Sequence, residues 1–166
     1  MNIQSPVSVV RRYTQTIQAE ASKVFPLLCP VREAEWIEGW DPDLVISDSG
    51  VAEPDCVFVT PAEPQAAVWF VTRHDAEAGV VEMIKLIPGL TVCKLNIQLH
   101  DQREGCMADI TYKLISLAPA GDEAVAAFSE AHYREFMQAW ERRINHYLLT
   151  GQRLAEDGAR IDDSQG

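Results

Sequence analysis

The chain has 166 residues, 47% of them hydrophobic and 23% charged, which fits one globular domain of ordinary size and excludes a disordered chain. The 25 acidic and 14 basic residues give a formal net charge of −11. No basic patch relieves it, since Arg11-Arg12 and Arg142-Arg143 are isolated pairs, so a nucleic-acid or anionic-membrane surface is excluded.

Met1–Val10 has no basic segment followed by a long apolar run, so no secretory signal is expected. No stretch approaches the roughly 20 apolar residues of a membrane span. The 4 cysteines, Cys29, Cys56, Cys93 and Cys106, form no CxxC pair and match neither a zinc ribbon nor a disulfide framework. They read as reduced thiols packed as small hydrophobes, and the protein is expected to be cytoplasmic.

Residues 7–17, "VSVVRRYTQTI", alternate as a strand. The period then changes. Ala21, Val24, Phe25 and Leu28 have helical spacing, and Pro30 resets the chain before a second short helix over Val31–Ile37 that ends near Gly39. Trp36 and Trp40 straddle that helix end, in front of Asp41-Pro42-Asp43.

From about residue 44 to 118 the segments "LVISD", "DCVFVT", "AAVWFVTRH", "GVVEMIKLI", "TVCKLNIQLH" and "CMADITYKLISL" are rich in β-branched and aromatic residues. Short turns rich in Gly, Pro and Asp separate them, which predicts an antiparallel meander. Cys93, Leu95, Ile97 and Leu99 share one face, as do Ala108, Ile110, Tyr112 and Leu114, so these strands bury one side and wet the other.

A long helix is predicted from about Asp122 to Thr150, with Asp122 as its cap and Gly151 just past its end. Ala126, Tyr133, Phe136, Met137, Trp140, Ile144, Tyr147 and Leu148 fall on its apolar face, and Arg134, Gln138, Glu141 and Asn145 on the opposite one. Residues 152–166 are polar and rich in Gly and Asp, and read as a flexible tail behind a single domain over 1–151.

The segment "AEASKVFPLLCPVREAEWIEGWDPDL" resembles the "A-x-x-V-W/F-x-x-L … W-x-P" segment of the START-like, birch-pollen-allergen-like superfamily (SRPBCC). Ala21, Val24, Phe25, Leu28, Trp40 and Pro42 stand in the matching places. The resemblance spans roughly residues 7–150 and points to its uncharacterised polyketide-cyclase-like branch. It implies an α+β helix-grip fold: a curved antiparallel sheet of about seven strands gripping the long C-terminal helix, two short helices after the first strand, and a cavity between sheet and helix. Members of the superfamily carry lipids and hormones, cyclise aromatic polyketides, or activate a chaperone. None of their catalytic motifs transfers residue by residue.

The sequence holds no GxSxG, HExxH, P-loop or GxGxxG motif, and its 4 histidines are scattered, so no metal and no cofactor are expected. The candidate ligand-binding residues are Trp69, Tyr112, Tyr133, Met137 and Trp140, apolar bodies of which several carry a polar tip. Trp40 joins them at the cavity rim. Arg73 and Glu82 interrupt apolar runs and would need partners if they faced inward.

Three functions stay open. One is a carrier of a small apolar or aromatic ligand. The second is a cyclase- or dehydratase-type enzyme on a polyketide-like substrate. The third is a co-chaperone-like interaction module. The chain is expected to be a monomer or weak homodimer. At physiological ionic strength, duplex DNA titrated into the protein should give no salt-sensitive binding in the micromolar range, and fluorescence anisotropy checks this.

Overall fold

The structure is a computed structural model that describes residues 1, 3 and 5–155. Strand β1 (Ser8–Ile17) is followed by a short helix α1 (Ala21–Val24), which tightens into a 3-10 turn at Phe25–Leu27. Pro26 fits there because the first residues of a turn have no intrahelical partner to lose. Helix α2 (Pro30–Glu33) opens on a second proline. Strands β2 (Leu44–Ile46), β3 (Val57–Thr60), β4 (Ala67–Asp75), β5 (Val80–Ile87), β6 (Thr91–Asp101) and β7 (Cys106–Ser116) follow, then helices α3 (Pro119–Ala127) and α4 (Glu130–Thr150). None of the described helices is long and apolar enough to cross a membrane.

The seven strands form one antiparallel sheet in the order β1-β7-β6-β5-β4-β3-β2. This is the expected α+β helix-grip architecture, with the expected meander. Cys93, Leu95, Ile97, Leu99, Ala108, Ile110, Tyr112 and Leu114 are all buried on the face that meets the helices. Two glycines are sterically required. A Cβ on Gly105, at φ +89°, would run into the Ile17 carbonyl, and one on Gly121 would run into the Leu90 carbonyl where α3 crosses the β5–β6 turn.

The C-terminal helix is two helices, not one. Phe128 leaves the helical region (φ −74°, ψ 62°) and buries its ring against Tyr112 and Tyr133, at centroid distances of 6.0 and 5.5 Å. Ser129 restarts the helix, its Oγ accepting a hydrogen bond from the His132 amide at 3.1 Å. Asp122 therefore sits inside the first turn of α3, whose cap position is Ala118. Ala126, counted above on the apolar face, is exposed because α4 sets its own register after the break.

α4 docks along β1 and β7. The Tyr133 hydroxyl donates to the Ile110 carbonyl at 3.1 Å, and the buried Gln15 side chain donates to the Met137 carbonyl at 2.9 Å. Glu141 and Asn145 do not simply face water. Glu141 accepts from the Thr16 amide at 2.8 Å and from the Tyr13 hydroxyl at 3.1 Å. Asn145 accepts from the Gln18 amide and donates to the Thr16 carbonyl. These side chains satisfy backbone groups of an edge strand that would otherwise stay open.

Gln152–Ala155 carry no regular structure, and residues 156–166 of the expected tail lie outside the described residues. Because Ser129 caps α4, Ser129→Ala should cost about 1 kcal/mol of stability in denaturant unfolding, whereas Asp122→Ala should change it by less than about 0.5 kcal/mol.

Candidate functional site

The inner face of the sheet meets α4 through linked aromatic rings. Trp36 packs edge-on against Trp140, with ring centroids 5.1 Å apart. Trp140 touches Phe136 at 6.1 Å, Phe136 touches Tyr112 at 6.3 Å, and Tyr112 touches Tyr133 at 5.5 Å. Such pairs add roughly 0.5–1.5 kcal/mol each beyond the area they bury. A second group lies under the other half of the sheet. There Trp69 stacks on Phe58 at 5.2 Å, nearly parallel, and Trp40 meets Phe58 edge-on at 6.5 Å.

The sequence candidates divide accordingly. Tyr112, Tyr133, Met137 and Trp140 are buried together between β7 and α4. Trp69 is buried in the second group, its indole Nε1–H donating to Thr60 Oγ1 at 3.0 Å. Trp40 is half-buried at the corner and donates to the Pro30 carbonyl at 2.6 Å. Trp36 is fully buried and donates to the Leu27 carbonyl, so it holds the corner as packing.

Arg73 and Glu82 stand apart from these residues, on the outer face. A bulge between Val71 and Arg73 shifts the alternation of β4. Arg73 pairs with Asp75 at 2.8 Å. Glu82 pairs with Lys94 at 2.6 Å and accepts from the Thr72 hydroxyl at 2.8 Å, and these contacts hold its carboxyl below the ordinary value. The same bulge turns His74 inward, 4.6 Å from the Phe25 ring, where burial lowers its pKa and keeps it neutral at physiological pH.

Lys85 was not among the candidates, and it is the charged side chain that β5 sends inward. It is buried, with its Nζ 5.2 Å from the centre of the Trp69 ring. Parity reveals it: Val81, Met83, Lys85 and Ile87 share one face, and Glu82, Ile84 and Leu86 the other. Apolar residues on both faces hid that alternation in the sequence. Phe58 and Phe128 were missed for a simpler reason, because one lone Phe in a strand or helix carries no sign of what it will touch.

Few groups in this interior are set up for proton transfer. Burial pushes the Cys93 thiol up to about 12 and the Cys106 thiol to about 11, so neither forms a thiolate nucleophile near neutral pH. Burial also raises the pKa of Tyr133, which stays a neutral donor. Among the described residues, no three His, Cys, Asp or Glu side chains gather as metal ligands. Two buried ring nitrogens have no hydrogen-bond partner among the described residues, His74 Nε2 and the Trp140 indole Nε1–H, and the indole can only donate. The interior therefore combines broad aromatic surfaces with the open Trp140 N–H donor, and the cationic side chains of Lys85 and Arg143 are buried as well.

The corner is clamped to the end of α4 by a polar clasp. The Arg32 guanidinium donates twice to the Glu35 carboxylate, at 2.8 and 3.0 Å, and the Tyr147 hydroxyl donates to the same carboxylate at 2.7 Å. These three donors pull Glu35 down to about 2.

No family model matches the sequence, and no curated protein matches it either. Solved structures do. A truncated norcoclaurine synthase from Thalictrum flavum aligns with a TM-score of 0.67 at 16% identity, over 90% of this chain and 99% of that one. The same enzyme in complex with dopamine and hydroxybenzaldehyde gives 0.64 at 14% identity, over 87% and 88%. Ara h 8.0201 gives 0.60 at 12% identity, over 86% and 99%. At these identities the likeness establishes the fold, which is the helix-grip fold of the birch-pollen-allergen-like structures.

The clasp predicts a pH dependence. Glu35 has a lowered folded-state pKa, so its contribution is fully present above the ordinary carboxylate value of 4.5 and is lost as the pH falls toward about 2. The pair is partly exposed, which keeps the contribution small. The difference in melting temperature between wild type and Glu35→Gln should be constant above about pH 5 and should close as the pH approaches about 2.

Proposed function

We propose that this chain binds a small, largely apolar aromatic molecule that carries an oxygen acceptor, held between the sheet and α4 beside Trp140, Phe136 and Tyr112. The Trp140 Nε1–H carries the reading. A buried donor with no acceptor costs about 1–3 kcal/mol, and a carbonyl or hydroxyl oxygen on a ligand would remove that cost. The rings around it are the lining that flat ligands use, with few polar anchors. Lys85, over Trp69, is a second anchor further along the inner face. The Thalictrum flavum structure with dopamine and hydroxybenzaldehyde adds support, because it pairs a similar fold with aromatic molecules that carry oxygen.

The test is a titration of hydroxybenzaldehyde and of Nile red, an apolar dye, followed by tryptophan emission and dye fluorescence. Wild type should bind both. Tyr112→Trp adds bulk to the interior and should weaken both at least about tenfold. Trp140→Phe keeps the ring surface and removes the donor, so it should weaken hydroxybenzaldehyde about five- to tenfold and leave Nile red nearly unchanged. Equal binding by wild type and Tyr112→Trp, or no binding by wild type, would overturn the reading.

A further inference from the structure

The outer face of the sheet should be polar, because its strands bury only the face that meets the helices. Toward one corner it is apolar instead. The register aligns Leu44, Val59, Val68, Leu86, Val92 and Ile115 side by side across β2, β3, β4, β5, β6 and β7. Two residues along, Ile46, Val57, Phe70 and Ile84 form a second row, which runs on through Lys94 and Lys113 to Val10 of β1. The alternation places both rows on the face away from the helices. Leu44 is 49% exposed, Ile46 57%, Val68 37%, Phe70 40% and Leu86 37%. The next row is polar again, with Arg73, Glu82, Asn96 and Thr111 in register.

The first row is apolar over six strands and the second over four, which together cover on the order of 250–300 Å² of apolar surface. The largest apolar patch on a typical monomer is of this order and is often functional. A stable dimer needs about 800 Å² per partner, with an apolar centre and a polar rim. The two rows furnish the apolar centre, about a third of that area, and the polar residues around them furnish the rim.

The charges at the two ends of the patch are opposite. Exposed Asp43 and Asp48 flank β2 at one end, and exposed Lys113 lies toward the other, next to Lys94, which is paired with Glu82. A surface that is apolar in the middle, acidic at one end and basic at the other complements itself after a half-turn.

We propose that this face is the interface of an isologous homodimer. In it the outer sheets of two copies stack with the two-fold axis parallel to the strands and centred between β4 and β5. That axis lays β2 of one copy over β7 of the other, and β3 over β6. Asp48 then meets Lys113 of the other copy at both ends, while Val68, Phe70, Ile84 and Leu86 interlock in the middle. Aligned packing of two pleated sheets is a common way for such faces to bury each other. A two-fold axis across the strands would instead set β2 on β2 and bring like charges together. The dimer leaves the helix-covered face free.

Sedimentation equilibrium of the full chain from about 200 to about 1 µM tests this. Wild type should show a monomer–dimer equilibrium in that range. Phe70→Lys, with its fold checked by near-ultraviolet circular dichroism, should weaken it at least about tenfold. Lys113→Glu and Asp48→Lys change exposed residues and should each weaken it several-fold, while the double variant should restore it, because the charges are exchanged and remain complementary. A wild type that is monomeric throughout would overturn the proposal. So would folded Phe70→Lys dimerising as wild type does, or a double variant weaker than either single one. A monomeric wild type that floats with neutral phosphatidylcholine vesicles would assign the patch to a lipid surface and equally overturn the dimer.

Discussion

One helix is too narrow for this sheet. Seven strands at about 4.8 Å spacing span roughly 29 Å, whereas a helix with its side chains covers about 10–12 Å. α4 lies over β1 and β7, fixed there by Tyr133 to the Ile110 carbonyl and by Gln15 to the Met137 carbonyl. The inner face of β3, β4 and β5 therefore needs another cover. The two short helices, the Trp36–Trp40 corner and long aromatic side chains supply it. The rings are large because they must reach across a gap that no backbone element closes.

The same constraint explains why polar groups inside are few and specifically placed. Trp36, Trp40 and Trp69 each spend their indole N–H on a nearby oxygen, at Leu27, Pro30 and Thr60. Trp140 stands where the ring chain passes from the corner to α4, and it has no such oxygen within reach. Lys85 reaches inward under Trp69, in the half of the sheet that α4 does not cover. The unusual donor and the unusual cation thus both sit where the helix runs out of width.

The break at Phe128 belongs to this economy of space. A continuous helix would carry Phe128 past the sheet. The kink drops its ring between Tyr112 and Tyr133, and Ser129 caps the new start. At the far end the Arg32–Glu35–Tyr147 clasp ties the corner to the last turns of α4. Helix and corner are joined mainly by polar contacts at the rim and aromatic contacts within. On the other side of the sheet the usual polarity is reversed over β2–β5, so the sheet presents an apolar surface on both faces in that half.

Local pattern was enough for the elements. Alternation located the strands, helical spacing and turn residues located the helices, and their order suggested the grip, because these signals depend on neighbours in the chain. Burial of Tyr112, Tyr133, Met137 and Trp140 was legible for the same reason. The sequence also bounded the surface chemistry, since a net charge of −11 without a basic stripe is independent of how the chain folds. What it left open depends on parity and reach across distant segments. Which face Arg73 and Glu82 occupy could not be read from the chain, and the bulge at Val71 with pairing to Asp75 and Lys94 sets them outside. Lys85 is buried without having been singled out, because Ile84 and Leu86 make the outer face as apolar as the inner one and hide the alternation. The helix break and the acceptor-less Trp140 follow from contacts between β7, α4 and the corner, residues far apart in the chain. Only the tertiary structure brings such residues together, so only it decides which donor is left unpaired and which apolar row is left uncovered.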